Sequence, residues 1–161
     1  MPNGPRILLD NACYHIITRA NQKQRIFRNE CDFKEYLERL YKYKTRHGFK
    51  LYGFCLMPNH VHMLGEVEEK ENLSGFMHDL SRSYTAYFNK KYQNVGYLWQ
   101  GRFKSKIIIK DRYFVNCINY IELNPVRADI VKTPMEYRWS SYMERNFGMD
   151  KKYSILNQIE L

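Results

Sequence analysis

The stretch Met57-Pro58-Asn59-His60-Val61-His62-Met63-Leu64 decides how the rest of the chain is read. On a strand, side chains alternate between faces, so His60 and His62 point one way while Val61 and Met63 point the other. Two imidazoles on one face, backed by an apolar face, make half of a metal site. Pro58 cannot donate to a sheet ladder and marks the strand's beginning, which leaves the histidines at its entrance, within reach of a ligand. Phe49 to Leu56 is also of strand type. Met57-Pro58-Asn59 is therefore the turn between two antiparallel neighbours, the second running to about Val67. Glu66 shares the parity of the histidines but lies farther along, a weak ligand candidate.

Working outward, Ala12 to Arg19 favours a first strand in which Tyr14, Ile16 and Thr18 alternate with Cys13, His15, Ile17 and Arg19. The pattern does not say which set meets the helices, and His15 reads as a structural or surface residue. Asp32 and Glu35 resemble a capping box, and Phe33, Tyr36, Leu37, Leu40 and Tyr41 recur at helical spacing up to Gly48. Past the hairpin, a second helix is expected from Asn72 or Ser74, with Leu73, Phe76, Met77, Leu80, Tyr84, Tyr87 and Phe88 as its apolar stripe. A fourth strand is expected at about residues 103–110. The order strand, helix, strand, strand, helix, strand is a split βαβ layout. The expectation is one α+β domain over residues 1–161, a ferredoxin-like sandwich of antiparallel sheet with helices on one face, with mobile ends at 1–10 and 148–161.

A further helix is appended. In Asp111 to Pro125, the residues Phe114, Cys117, Ile118 and Ile121 define a buried face, Asp111 is a good N-cap and Pro125 a stop. Tyr113, Asn116, Tyr120 and Asn124 form a stripe beside it. Tyr120 and Asn124, four residues apart, bring a phenol and an amide oxygen together. Of the two, Asn124 can join a metal and Tyr120 can act as a nucleophile. Tyr113 is its rival.

The formal charge is +9 and the pI about 9.4, values that suit a polyphosphate partner. Arg102, Lys104 and Lys106 alternate with Phe103, Ser105 and Ile107, giving one cationic face on an extended segment that fits the phosphates of a single strand. Trp99 can stack on an unpaired base or plug the edge of the core. Arg82, on the second helix, can also approach a phosphate backbone. Hydrophobic residues make up 44% of the chain, which argues against disorder. Cys13, Cys31, Cys55 and Cys117 lack zinc-finger or Cys-x-x-Cys spacing and read as reduced core thiols. With no signal-like or membrane-length apolar run, a cytoplasmic protein without membrane contact is expected.

Four ordered motifs carry a resemblance: Pro58-Asn59-His60-Val61-His62, Trp99-Gln100-Gly101-Arg102-Phe103-Lys104-Ser105, Tyr120-Ile121-Glu122-Leu123-Asn124-Pro125-Val126-Arg127-Ala128 and Trp139-Ser140-Ser141-Tyr142. Together, over about residues 12–146, they resemble the single-tyrosine HUH transposases of insertion-sequence-200 type, in particular the REP-associated tyrosine transposases. The resemblance implies a metal-dependent single-strand DNA endonuclease and strand transferase that cuts near hairpins. Tyr120 would be the nucleophile of a 5′-phosphotyrosine intermediate. His60, His62 and Asn124 would hold Mg²⁺ or Mn²⁺, and no nucleotide cofactor would be needed. Arg127, in the same motif, joins Arg82, Trp99, Arg102, Lys104 and Lys106 as a candidate DNA contact. Single-stranded or hairpin DNA is the implied partner, and a homodimer or a monomer both stay open. Two rivals remain: a catalytically silent hairpin-binding protein and a nuclease using metal-bound water. The family has glycine where this chain has Asp129, which tolerates a left-handed backbone better than most residues.

Overall fold

The computed structural model describes residues 5–148 and 154–160. Its four-stranded sheet has the order β2-β3-β1-β4, from β1 (Ala12–Arg19), β2 (Lys50–Met57), β3 (His60–Val67) and β4 (Lys104–Ile108). All neighbours are antiparallel. Helices α1 (Glu30–His47) and α2 (Lys70–Tyr92) join the strands as expected of the split βαβ arrangement. The expected α+β class and topology are borne out.

Both faces of the sheet are covered, and this settles the parity of β1. Tyr14, Ile16, Val61 and Met63 are fully buried in the core shared with α1 and α2. Cys13 and Leu64 belong to a second core under α3 (Arg112–Glu122), where Phe114, Ile118 and Ile121 are buried. Each such side chain contributes about 1.5–3 kcal/mol relative to exposure, so the appended helix is anchored by its apolar stripe. A bulge at Leu51/Gly53 turns Tyr52 to this second face, where its hydroxyl donates to Glu66 Oε2 at 2.8 Å.

Several boundaries differ from the sequence expectation for physical reasons. The N-cap of α1 is Asn29, whose side chain accepts from the Asp32 N–H. Asp32 is thus the third residue of the helix, and its carboxylate accepts from the Arg28 N–H at 2.8 Å. Helix α2 begins at Lys70, because Asp10 caps the Lys70 N–H at 2.9 Å from a distant part of the chain. After α3, Asn124–Arg127 adds one further turn, α4, with Pro125 near its start, where a missing N–H costs no helical bond. Asp129 takes φ 56°, the left-handed value expected of it.

Gly65 lies where no other residue fits: a Cβ there would be 2.1 Å from Phe49 Cζ. That close approach lets Phe49 stack on Phe76 of α2, centroids 4.3 Å apart. Residues 137–141 and 154–157 run along the outer edge of β2. Leu56 N–H donates to Trp139 O at 2.8 Å, Ser141 N–H to Phe54 O at 2.9 Å and Asn157 N–H to Leu51 O at 2.7 Å. A last short helix, α5 (Tyr142–Phe147), follows. Of the ends expected to be mobile, residues 1–4, 149–153 and 161 lie outside the described residues. Cys13 and Cys55 are buried thiols, whereas Cys31 is exposed. No helix among the described residues is long and apolar enough to cross a membrane.

Candidate active site

The strand register assembles the site. In β1 against β3, Arg19 faces His60 and Ile17 faces His62, while in β1 against β4, Ile17 faces Lys104 and His15 faces Lys106. Directly opposed residues share a face, so His15, Arg19, His60, His62, Lys104 and Lys106 all lie on the side covered by α3. The rings of His60 and His62 are 5.0 Å apart. Neither histidine offers Nδ1 to solvent: that of His60 is 2.7 Å from Asn59 Oδ1, and that of His62 is 3.0 Å from His15 Nε2. A ring whose Nδ1–H is engaged presents the Nε2 lone pair.

All three imidazoles are held neutral. Burial, with help from Lys106, lowers the pKa of His15 to about 4. Burial and Arg19 lower that of His60 to about 4. Burial, the neighbouring His60 and His15, and the cations Arg19 and Arg127 lower that of His62 to about 3. A neutral imidazole is the form that binds a metal.

Helix α3 brings the phenol to this surface. The ring of Tyr120 lies edge-on to those of both His15 and His62, with centroids 6.0 Å apart in each case. It is 45% exposed, so it is not consumed by packing. Tyr113 sits two turns earlier on α3, roughly 10 Å along its axis, where its hydroxyl accepts from Arg112. Arg127 lies 4.2 Å from the centroid of Tyr120. Asn124 donates to the Tyr120 and Ile121 carbonyls at 3.1 and 3.3 Å, which leaves its Oδ1 to accept or ligate. No group of three or more His, Cys, Asp or Glu side chains converges as a metal cage among the described residues. The donors expected from the sequence are two imidazoles and one amide, a mixed nitrogen and oxygen set of the kind that suits a divalent cation with open positions.

Other expected residues are placed unevenly. Lys104 and Lys106 extend from the histidines toward the free side of the sheet. Arg102 lines a groove of about 460 Å³ with Arg6 and Phe103 at β4's outer edge. Trp99 packs against Tyr36 and Tyr84 and donates to Ser81 O at 3.3 Å, so its ring is engaged with the core. Arg82 lies in a cleft between α1 and α2 with Arg39, Tyr43 and Lys90, across the sheet from the histidines. Glu66 is occupied by Tyr52 and by an ion pair with Lys110 at 2.6 Å. The sequence reading missed His15 and Arg19. Their parity with each other was visible, but the register that sets them beside His62 and His60 was not.

A Haemophilus influenzae protein named as a REP-associated tyrosine transposase is 30% identical over 114 residues, 63% of this chain and 64% of that relative. The chain thus spans less than two thirds of that relative's length. A solved structure described as a REP-associated tyrosine transposase bound to a REP hairpin superposes with a TM-score of 0.79 over 100% of both chains, at 16% identity. A second, named as a transposase of Deinococcus radiodurans, gives 0.52 over 76% of this chain and 96% of that one, at 18% identity. These two share the fold. The family model described as "Transposase IS200 like" matches residues 9–124, a span that runs from β1 to Asn124 and takes in the histidine hairpin and the tyrosine helix. By that match, the chain belongs to the IS200-like transposases.

Proposed function

We propose that this chain is a metal-dependent single-strand DNA endonuclease and strand transferase, a transposase that cuts beside hairpins through a 5′-phosphotyrosine intermediate. The observation that carries this reading is the exposed Tyr120 ring set edge-on to His62, 6.0 Å between centroids. The REP hairpin held by the structural neighbour supports hairpin DNA as the partner. Tyr120 and the histidines come from one chain, which favours a site that is complete in a single copy.

In this mechanism Arg19, Lys104 and Lys106 attract the phosphates of an unpaired strand to the open side of the site. The Tyr120 hydroxyl gives up its proton to solvent and its oxygen attacks a phosphorus, forming an O–P bond as the bond from phosphorus to the 3′ oxygen breaks. That oxygen takes up a proton and leaves as a 3′-hydroxyl, while the 5′-phosphate stays on Tyr120. The ester is conserved, so a 3′-hydroxyl attacking the phosphotyrosine rejoins DNA without a nucleotide cofactor. His60 and His62, through Nε2, and Asn124, through Oδ1, would hold Mg²⁺ or Mn²⁺, and the donor set suits Mn²⁺ better. Such a cation, when bound, supplies Lewis-acid polarisation of a nonbridging phosphate oxygen.

The test is incubation with labelled single-stranded hairpins from the flanks of the gene, with Mn²⁺ or Mg²⁺, and denaturing electrophoresis. The expected product is a slow-migrating covalent adduct, absent in Tyr120→Phe and present in Tyr113→Phe. Cleavage that persists in Tyr120→Phe without an adduct would show metal-water hydrolysis instead. Binding without cleavage under either metal would show a silent hairpin-binding protein.

A further inference from the structure

His15 is the one polar side chain of β1 placed against both halves of the site, and the mechanism above gives it no task. Its Nε2 is 3.0 Å from His62 Nδ1. The two rings stack, 5.2 Å between centroids and 23° between planes, and both lie edge-on to Tyr120, 6.0 Å from its centroid in each case. The side chain is half-buried, and β1 is paired on both sides. The backbone that carries the ring is therefore fixed in place.

A single proton fills the gap between two neutral imidazoles, and it can belong to either ring. If His15 donates, His62 carries its own proton on Nε2 and cannot ligate there. If His62 donates from Nδ1, its Nε2 lone pair faces the site. Asn59 has only its amide oxygen at 2.7 Å from His60 Nδ1, and so acts on His60 in the second sense. His62 has no amide or carboxylate in that place; it has His15.

We propose that His15 is a positioning residue: by accepting the His62 Nδ1–H it fixes the tautomer and plane of that ring for metal binding, and by its edge it seats Tyr120. The proposal rests on the metal-dependent reading of the site given above. It assigns β1 a part in the active centre beyond holding the sheet together. Hydrogen-bond partners of this kind set both the basicity and the direction of a ligating imidazole.

Long-range ¹H–¹⁵N NMR of the metal-free wild-type protein reads the tautomer directly. His62 protonated on Nδ1 is the expected result, and protonation on Nε2 overturns the proposal without any variant. Mn²⁺ binding, followed by electron paramagnetic resonance of the free ion, supplies the second readout. Removing the acceptor in His15→Leu is expected to weaken Mn²⁺ binding about 10- to 100-fold. His15→Gln, whose amide oxygen can take the place of Nε2, should retain affinity within roughly 5-fold of wild type, which a purely structural role would not produce. Wild-type affinity in His15→Leu overturns the proposal and leaves the metal-dependent reading standing. No His62-dependent Mn²⁺ binding in the wild type overturns both.

Discussion

The guanidinium of Arg127 lies 4.2 Å from the centroid of the Tyr120 ring and also donates to the Tyr120 backbone carbonyl at 3.2 Å. One side chain thus fixes both the ring and the end of the helix that carries it. A cation over an exposed aromatic face is worth about 0.5–1 kcal/mol. Arg127→Gln is therefore expected to slow adduct formation about 2- to 5-fold through the ring alone. Single-turnover rates at saturating DNA isolate this from weaker binding, and an unchanged rate there would leave Arg127 only a phosphate contact.

Lys104 and Lys106 stand on the histidine face, whereas Arg82 lies across the sheet. Each single-strand phosphate contact adds about 0.7 to the slope of log affinity against log salt. Neutralising either lysine should flatten that slope by about this amount, whereas Arg82→Gln should leave it unchanged. Fluorescence anisotropy across a salt series distinguishes the two, and equal effects would mean that DNA covers both faces.

Glu122 is buried, 3% exposed, and accepts from Ser141 Oγ at 2.6 Å and Arg145 Nε at 2.7 Å. Arg145 also donates to the Tyr52 carbonyl. These bonds tie the end of the tyrosine helix to β2 and α5. Arg145→Met leaves a carboxylate buried with one hydroxyl for company, and should cost roughly 3–5 kcal/mol in urea denaturation. A loss below about 1 kcal/mol would show that water reaches Glu122.

The three site histidines give a stability that depends on pH in a stated direction. Their folded pKa values of about 4, 4 and 3 lie below the ordinary histidine value, which is near 6.5. The unfolded chain therefore takes up protons first as pH falls, and stability drops from about pH 6.5 down to about 4. Asp32 adds a later loss. Burial raises its pKa, but bonds from Lys91, Tyr92, the Arg28 N–H and Tyr87 outweigh this and hold it below the usual carboxylate range, so its contribution disappears as pH falls below about 4. The same histidine shifts imply that Mn²⁺ affinity changes little between pH 7.5 and about 6, because the folded rings are already neutral. Thermal melts and Mn²⁺ titrations across this range check both statements, and a stability that rises on acidification would contradict them.

Much of this architecture was legible from local pattern. Alternation around His60 and His62 located the hairpin, and the spacing of Phe114, Ile118 and Ile121 located the helix that presents Tyr120. What local pattern does not carry is distance along the chain. The cap of α2 comes from Asp10, the outer edge of β2 is lined by residues from Tyr137 onward, and His15 meets His62 only through strand register. A single tryptophan could equally be a stacking platform or a plug, and only its neighbours Tyr36 and Tyr84 place Trp99 with the core.

The chain's own backbone along β2 has an effect on how copies of this protein can meet. Trp139, Ser141 and Asn157 already occupy carbonyl and amide groups on that margin, so a neighbouring molecule finds no ladder there to continue. Uncapped margins are the usual template for runaway strand addition and fibre growth. The margin left free is that of β4, which carries Lys104 and Lys106, and charged side chains on an edge strand discourage such pairing.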